Sequence, residues 1–376
     1  MAAMPRAVDA LEKDCAAWLR VPAAVATGYG RSSALLAFQV VRATRGCSSS
    51  VCEILVPNFI CRQVPEAVCR VGATPRFYPV GRDMVIRPED LRAACMPNAR
   101  AALVPHYFGQ IQPHIGDLAQ TCRELEITLI EDCALALGAH ASDGQPAGTF
   151  GELAIFSLTK SDWCFGGGIL IARESAHARL ARAFQTAEFV PARGGALTYG
   201  LLRRADFASN RPTRARMADF AGQWVERLCG MRGANFYDAA RYDSLMPAFA
   251  ARRARHLLRN LAATTARRRQ ILAAFYEALR DTPLLYRPQI DSGDAGSFLL
   301  LQSPDGRAAE WREQAAANGV TLRLVWSAYQ ESEPAQASAD LARLADHLLF
   351  LEIHSRLTSG EIAHIARMLK KLAGCM

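Results

Sequence analysis

The chain is almost without lysine. Of its 44 basic residues, only Lys13, Lys160, Lys370 and Lys371 are lysine, and the other 40 are arginine. Three of the four lie near the termini, where any cation serves. Lys160 stands apart, inside FSLTKSDWCFGGGILI (156–171), between an apolar strand-like run and three glycines. Arginine cannot replace a lysine there if the group must lose its proton and attack a carbonyl. Other absences narrow the class further. No apolar run approaches the roughly 18 residues of a membrane span. MAAMPRAVDALEKDCAAWLR at the start carries acids and a Lys where a signal peptide needs a continuous apolar segment. There is no CxxC pair. The 11 cysteines are odd in number and irregularly spaced, which fits a reducing cytoplasm and thiols used as small hydrophobes. The eight histidines and the cysteines show no metal-ligand spacing, so no metal is expected.

A net charge of +8 admits nucleic acid as a partner, and RRARHLLRNLAATTARRR (252–269) is the best support for it. However, Leu257, Leu258, Leu261, Ile271, Leu272, Phe275 and Leu279 recur near helical spacing. The arginines therefore read as the solvated face of a helix. With no zinc-finger spacing and no basic motif interleaved with aromatics, neither nucleic acid nor membrane is expected as a partner.

What the chain does have is alternation. CEILVP (52–57), TPRFYPV (74–80), AALVPHY (101–107), ITLIED (127–132), LAIFSL (153–158) and GILIAR (168–173) read as strands separated by helical patterns. This order predicts an α/β fold with a largely parallel sheet covered on both faces. Residues 176–240 read as helical, with an unplaced arginine-rich stretch, RRADFASNRPTRARM (203–217). A long helix over 249–281 leads to SFLLLQS, RAAEWREQAAANG, VTLRLVW and SGEIAHIARMLKKL, which together read as a small α/β domain. SAYQESEPAQASAD (327–340) reads as a surface loop. The expected division is a large domain over 1–248 and a small one over 249–376.

Ligands in open α/β sheets collect at the carboxyl ends of the strands. Asp132 ends ITLIED and Lys160 closely follows LAIFSL, so both belong to one edge. GYGRSSALLAF (28–38) is a Gly/Ser turn running into an apolar helix, with no clear strand before it. The turn is either a plain helix start or an anion site made by backbone N–H groups with Ser32 and Ser33. A phosphate cradle, an aspartate and a lone lysine together suggest pyridoxal 5′-phosphate, which needs an amine for its carbonyl and a carboxylate for its ring nitrogen.

In this order, GRSSALLAF, VPNFICRQVPEAVCRVGATPRFYPV, ALVPHYFGQ, LIEDCALALGAH, GTFGELAIFSLTK, the triple glycine and LEIHSRLTSGEIAHIARML resemble the DegT/DnrJ/StrS family of pyridoxal-phosphate-dependent aminotransferases. The resemblance covers most of the chain and implies fold type I, a homodimer, and keto sugars as acceptors with glutamate as donor. It makes Lys160 the cofactor-bearing lysine and Asp132 the partner of the pyridine nitrogen. Gly30, Ser32, Ser33 and Ser157 would approach the phosphate, and Phe59 and Leu135 the ring. His106 occupies a common family position, although a histidine beside a strand end is more often a hydrogen-bonded structural residue. Arg323 and Trp326 lie where relatives approach substrate, and Trp163 and Phe165 face either substrate or core. The chain departs from the family in having Leu135 where Gln or His is common and Cys61 where an aromatic stacks. It also shortens the spacing before the lysine to FSLTK and has no clean GYNxR segment. A dehydratase relative carries histidine in place of the lysine, so Lys160 argues against that chemistry. The alternatives are a non-sugar carbonyl as acceptor, another reaction on the same cofactor, or a non-catalytic regulatory member.

Overall fold

The computed structural model describes residues 6–47, 52–161, 166–191, 242–286, 293–326 and 346–374. Trp163, Phe165, the arginine-rich stretch 203–217 and the segment 327–340 lie outside the described residues. Helix α1 (Arg6–Leu19) leads to β1 (Ala23–Thr27) and α2 (Gly30–Thr44). Then follow β2 (Glu53–Pro57), α3 (Gln63–Arg70), β3 (Thr74–Tyr78), α4 (Pro88–Ala94) and β4 (Ala99–Pro105). The rest of the large sheet comes from α5 (Ile115–Glu124), β5 (Thr128–Asp132), β6 (Leu153–Ser157), β7 (Gly168–Ala172) and α6 (Ser175–Glu188). The strand order is β1-β7-β6-β5-β4-β2-β3. β7 runs antiparallel to both neighbours, and every other pairing in this sheet is parallel.

The six strands read from the pattern are all present. β1 is the one the sequence hid: AAVAT is short and alanine-rich, with only Val25 and Thr27 as the branched residues that mark a strand. The sheet is buried on both faces, as a largely parallel sheet requires. Alternate residues of β6 show the two layers. Leu153 and Ile155 pack with α2 and α3, whereas Ala154 and Phe156 pack with α1 and the helix Ala248–Arg259.

The single helix expected over 249–281 is two, Ala248–Arg259 and Leu261–Leu279. The break falls at Asn260 (φ −107°, ψ 10°), whose side-chain amide donates back to the His256 carbonyl at 2.8 Å. The two helices serve different cores. Ala250, Ala251, Ala254 and Leu257 join the large-sheet layer, while Ile271, Leu272, Phe275 and Leu279 join that of the small sheet. Nor are the arginines all on the solvated face. Arg268 shares the inward face with Leu261, Thr265 and Leu272 and is buried, donating to Thr265 Oγ1 at 3.2 Å. The small sheet is antiparallel, with Leu348–Glu352 between Phe298–Gln302 and Arg323–Leu324. VTLRLVW contributes only those last two residues as strand. The terminal helix Ser359–Leu372 starts with a capping box between Thr358 and Glu361.

Candidate active site

Three turns meet at one edge of the large sheet. β1 and β6 are both antiparallel to β7, which lies between them, so Thr27 and Ser157 end level with each other on either side of Gly168. After Thr27 the chain turns through Gly28–Gly30 into α2. After Ser157 a 3₁₀ turn over Leu158–Lys160 delivers the lysine, and β5 ends beside it at Asp132. The three glycines join these turns. The Gly167 N–H donates to the Gly28 carbonyl at 2.7 Å, and the Leu158 N–H donates to the Gly167 carbonyl at 2.9 Å. Gly167 has φ +108°, and a Cβ on Gly168 would come within 2.2 Å of the Tyr29 carbonyl oxygen. Only glycine lets the strand pass so close.

The cavity at this edge is lined by Gly30, Arg31, Asp132, Ser157, Thr159 and Lys160, with Tyr29, Cys61 and Gln63 also in its wall. Asp132 Oδ1 accepts from the Ala134 N–H at 2.9 Å. Burial pushes the Asp132 carboxyl above the usual carboxylate range, and the Lys160 charge, the Ala134 amide and His106 oppose that shift. Ser157 Oγ and Thr159 Oγ1 lie 2.9 Å apart.

Four residues expected at a cofactor site, Gly30, Asp132, Ser157 and Lys160, therefore share this cavity. The others do not line it. Ser33 is fully buried, its hydroxyl 2.8 Å from Thr27 Oγ1, so it braces the turn from behind. Ser32 is equally buried, and its Oγ has no hydrogen-bond partner. Phe59 packs into an aromatic cluster, 4.8 Å from the Trp326 ring and 5.6 Å from Tyr107. Leu135 packs against the same apolar layer. Trp326 also stacks on Phe108 at 5.5 Å, and Arg323 pairs with Glu352 at 3.2 Å.

His106 turns inward rather than toward a ligand. Its Nδ1 accepts from the Gln112 N–H at 3.1 Å, which leaves the hydrogen on Nε2 to be donated to Glu131 Oε2 at 3.0 Å. Glu131 also accepts from the N–H groups of Gly148, Phe150 and Gly151 at 2.7–2.8 Å. With Cys133, these two residues form a metal-like cluster. The His106 and Glu131 atoms are already committed to one another and to the backbone, so this pair makes a structural knot. Sequence reasoning passed over Arg31 and Thr159 as site residues, although both sit inside the motifs GYGRSS and SLTK.

Residues 2–370 match the DegT/DnrJ/EryC1/StrS aminotransferase family, and the chain belongs to that family, whose members depend on pyridoxal phosphate. It is 30% identical over 152 residues to the GDP-perosamine synthase of Vibrio cholerae. It is 34% identical over 155 residues to a UDP-N-acetyl-3-dehydro-alpha-D-glucosamine 3-aminotransferase of Acidithiobacillus ferrooxidans. Each match spans 40% of this chain and 40% of the relative. In fold it is similar to a GDP-4-keto-6-deoxymannose-3-dehydratase holding a trapped PLP–glutamate geminal diamine, with TM-score 0.74 and 16% identity over 98% of this chain and 93% of that one. The expected fold, type I, is the one observed.

Proposed function

We propose that this protein is a pyridoxal-phosphate-dependent aminotransferase that moves an amino group from an amino acid, glutamate by family likeness, to a keto sugar carried on a nucleotide. The observation that carries the reading is the convergence of Lys160, Asp132, Gly30 and Ser157 on one cavity. The residues present fit the cofactor. A Cβ on Gly30 would come within 2.8 Å of Ser157 Cβ, so the helix start and the hydroxyls form a close cradle for an anion. The unpartnered Ser32 Oγ lies buried in the same first turn.

When bound, pyridoxal phosphate supplies an electron sink for a substrate carbanion. Lys160 Nζ would hold it covalently and, once the donor's amine had displaced it, would take a proton from the substrate's α-carbon and return it to the carbon on the other side of that nitrogen. Asp132 would hold a proton on the pyridine nitrogen, which the nearby Lys160 charge helps it do by favouring the carboxylate. Gly30, Ser157 and Thr159 would hold the phosphate. The sugar-nucleotide acceptor is supported by the names of the two sequence relatives. The test is borohydride reduction of the loaded protein followed by peptide mapping, with the label expected on Lys160. Lys160→Ala and Lys160→Arg should both abolish turnover, since charge is not the function. A label on another lysine would end the assignment. For the acceptor, the amine-loaded enzyme is offered nucleotide-linked keto sugars beside free keto sugars and simple aldehydes. Discharge by the free carbonyls alone would remove the sugar-nucleotide reading and leave the aminotransferase.

A further inference from the structure

A second recess opens at the opposite end of the large sheet, where β4 and β5 begin. β5 starts at Thr128 and ends at Asp132, so about 13 Å of strand separates the recess from the cavity. None of its residues lines that cavity. Three arginines stand in its wall, Arg45, Arg100 and Arg123. Elsewhere in the chain arginines meet acids: Arg76, Arg87, Arg92, Arg182, Arg255 and Arg307 each pair with a carboxylate. Among the described residues, the three in the recess pair with none. Neutral acceptors orient them instead. Arg45 Nε donates to Thr128 Oγ1 at 3.1 Å, and Arg100 Nη1 donates to the Pro97 and Ala99 carbonyls at 2.7 and 2.8 Å. Arg123 Nε and Nη2 both donate to Gln120 Oε1, at 3.1 and 2.7 Å. Such partners fix a guanidinium without answering its charge.

Two acids share the wall. Glu152 Oε2 accepts from the Leu129 N–H at 2.8 Å, while Glu126 is exposed. Glu126 holds a left-handed backbone (φ +55°) just past the end of α5, where glycine is easier and where the helix dipole disfavours an acid. Met96, also in the wall, is the one large apolar side chain left broadly exposed among the described residues, at 46%. We propose that this recess is a second ligand site and binds a nucleoside diphosphate. The three arginines take the phosphates, Met96 meets the base, and Glu126 accepts from the sugar or base. Arginine forks suit phosphate oxygens, and several of them suit more than one phosphate group. Inorganic phosphate would use the arginines alone. A molecule with phosphates at one end, and hydrogen-bond donors and a flat apolar face at the other, uses the acid and the methionine as well. The room, about 880 Å³, falls within the roughly 300–1,000 Å³ of small-molecule sites. This site stands whether or not the cavity holds pyridoxal phosphate.

Two thiols make the test specific to place. Cys95 is half-buried in the recess wall, and Cys61 is half-buried in the wall of the cavity. The full-length protein as purified is alkylated with iodoacetamide, at alkaline pH because burial raises the Cys95 thiol. Peptide mass spectrometry reads the rate at each cysteine while ADP, adenosine or inorganic phosphate is titrated in. ADP should slow Cys95 saturably, and adenosine and phosphate should each need at least about tenfold more. Arg100→Gln and Arg123→Gln, with circular dichroism confirming the fold, should each raise the half-protecting ADP concentration by about tenfold or more. Arg280→Gln, which removes an exposed arginine paired with Glu277 far from the recess in sequence, should stay within about twofold of wild type. A Cys95 rate indifferent to ADP overturns the proposal, and so does protection that survives both recess substitutions. Slowing at Cys61 without slowing at Cys95 would assign ADP to the cavity and overturn it too. Protection by inorganic phosphate at the same concentration as ADP would reduce the recess to a bare anion patch and end the nucleotide assignment.

Discussion

Glu131→Gln changes one heavy atom and almost no volume, yet it should be among the most damaging substitutions outside the cavity. Oε1 accepts from the Phe150 and Gly151 N–H groups, and Oε2 accepts from the Gly148 N–H and His106 Nε2. A glutamine keeps one oxygen and turns the other into a donor. If the NH₂ takes the Oε1 position, two backbone donors face it. If it takes the Oε2 position, it faces the Gly148 N–H and His106. A tautomer change on the histidine would then only move the conflict to the Gln112 N–H at Nδ1. Either orientation leaves two donors without an acceptor inside a fully buried site. Each such group costs about 1–3 kcal/mol, so the pair costs about 2–6 kcal/mol against a typical total of about 5–15 kcal/mol. For a chain of 376 residues, with an unfolding entropy of about 0.8 kcal/mol per degree, that lowers the melting temperature by about 3–8 °C. The assay is thermal unfolding of the cofactor-free protein by circular dichroism, at one protein concentration because any subunit association would shift the midpoint. A midpoint within about 1 °C of wild type, below the shift of about 3 °C expected for two lost bonds at their weakest, would mean that water or rearranged backbone satisfies these donors.

Two further outcomes come from the geometry and a third, the oligomeric state, from the family likeness. Asp132 has a folded-state carboxyl raised above its unfolded value of about 3.9, so the stability its proton confers is present below that value and lost as pH rises through the folded one. Asp132→Asn should therefore raise the melting temperature of the cofactor-free protein at neutral pH while crippling Cα deprotonation; near-normal single-turnover rates would show that another group serves the ring nitrogen. Gly168→Ala places a Cβ 2.2 Å from the Tyr29 carbonyl oxygen and 2.7 Å from the Gly30 nitrogen. Titration with pyridoxal phosphate should show that this displaced turn loses the cofactor, and retention of wild-type affinity would refute the close packing. Light scattering should give a homodimer, and a monomer fully active at high dilution would contradict it.

Much of this was legible in the sequence because strands buried on both faces write themselves as short, continuous apolar runs. ITLIED and LAIFSL announced not only β5 and β6 but which residue each would deliver to the shared edge. AAVAT did not announce β1, because alanine suits helix as well as strand. Lys160 was visible through the scarcity of its own kind, and Asp132 through its place at a strand end. The residues that lie off the cavity share a different cause. Ser33, Phe59 and His106 lie in the right motifs, but the direction of a side chain depends on neighbours distant in sequence: Thr27 for the serine, Trp326 for the phenylalanine, Glu131 for the histidine. Arg31 was hidden by abundance, one arginine among 40.

The position of β7 bears on the order in which the molecule can be made. Among the described residues, β1 has only β7 as a partner in the sheet. A ribosome that has released residues 1–160 has synthesised every residue of the cavity wall, and α2 can already pack on β6, yet the Gly28–Gly30 turn lacks the strand that bonds it in register beside Ser157. The missing piece is the strand Gly168–Ala172, which slides between β1 and β6 and joins them. Until then the amino-terminal strand must wait as a loose end with an unpaired edge. Cofactor capture should therefore await the emergence of a segment that contributes no side-chain chemistry of its own. A nascent chain halted before β7 should bring α2 and Lys160 out of the tunnel without the strand that ties their turns together.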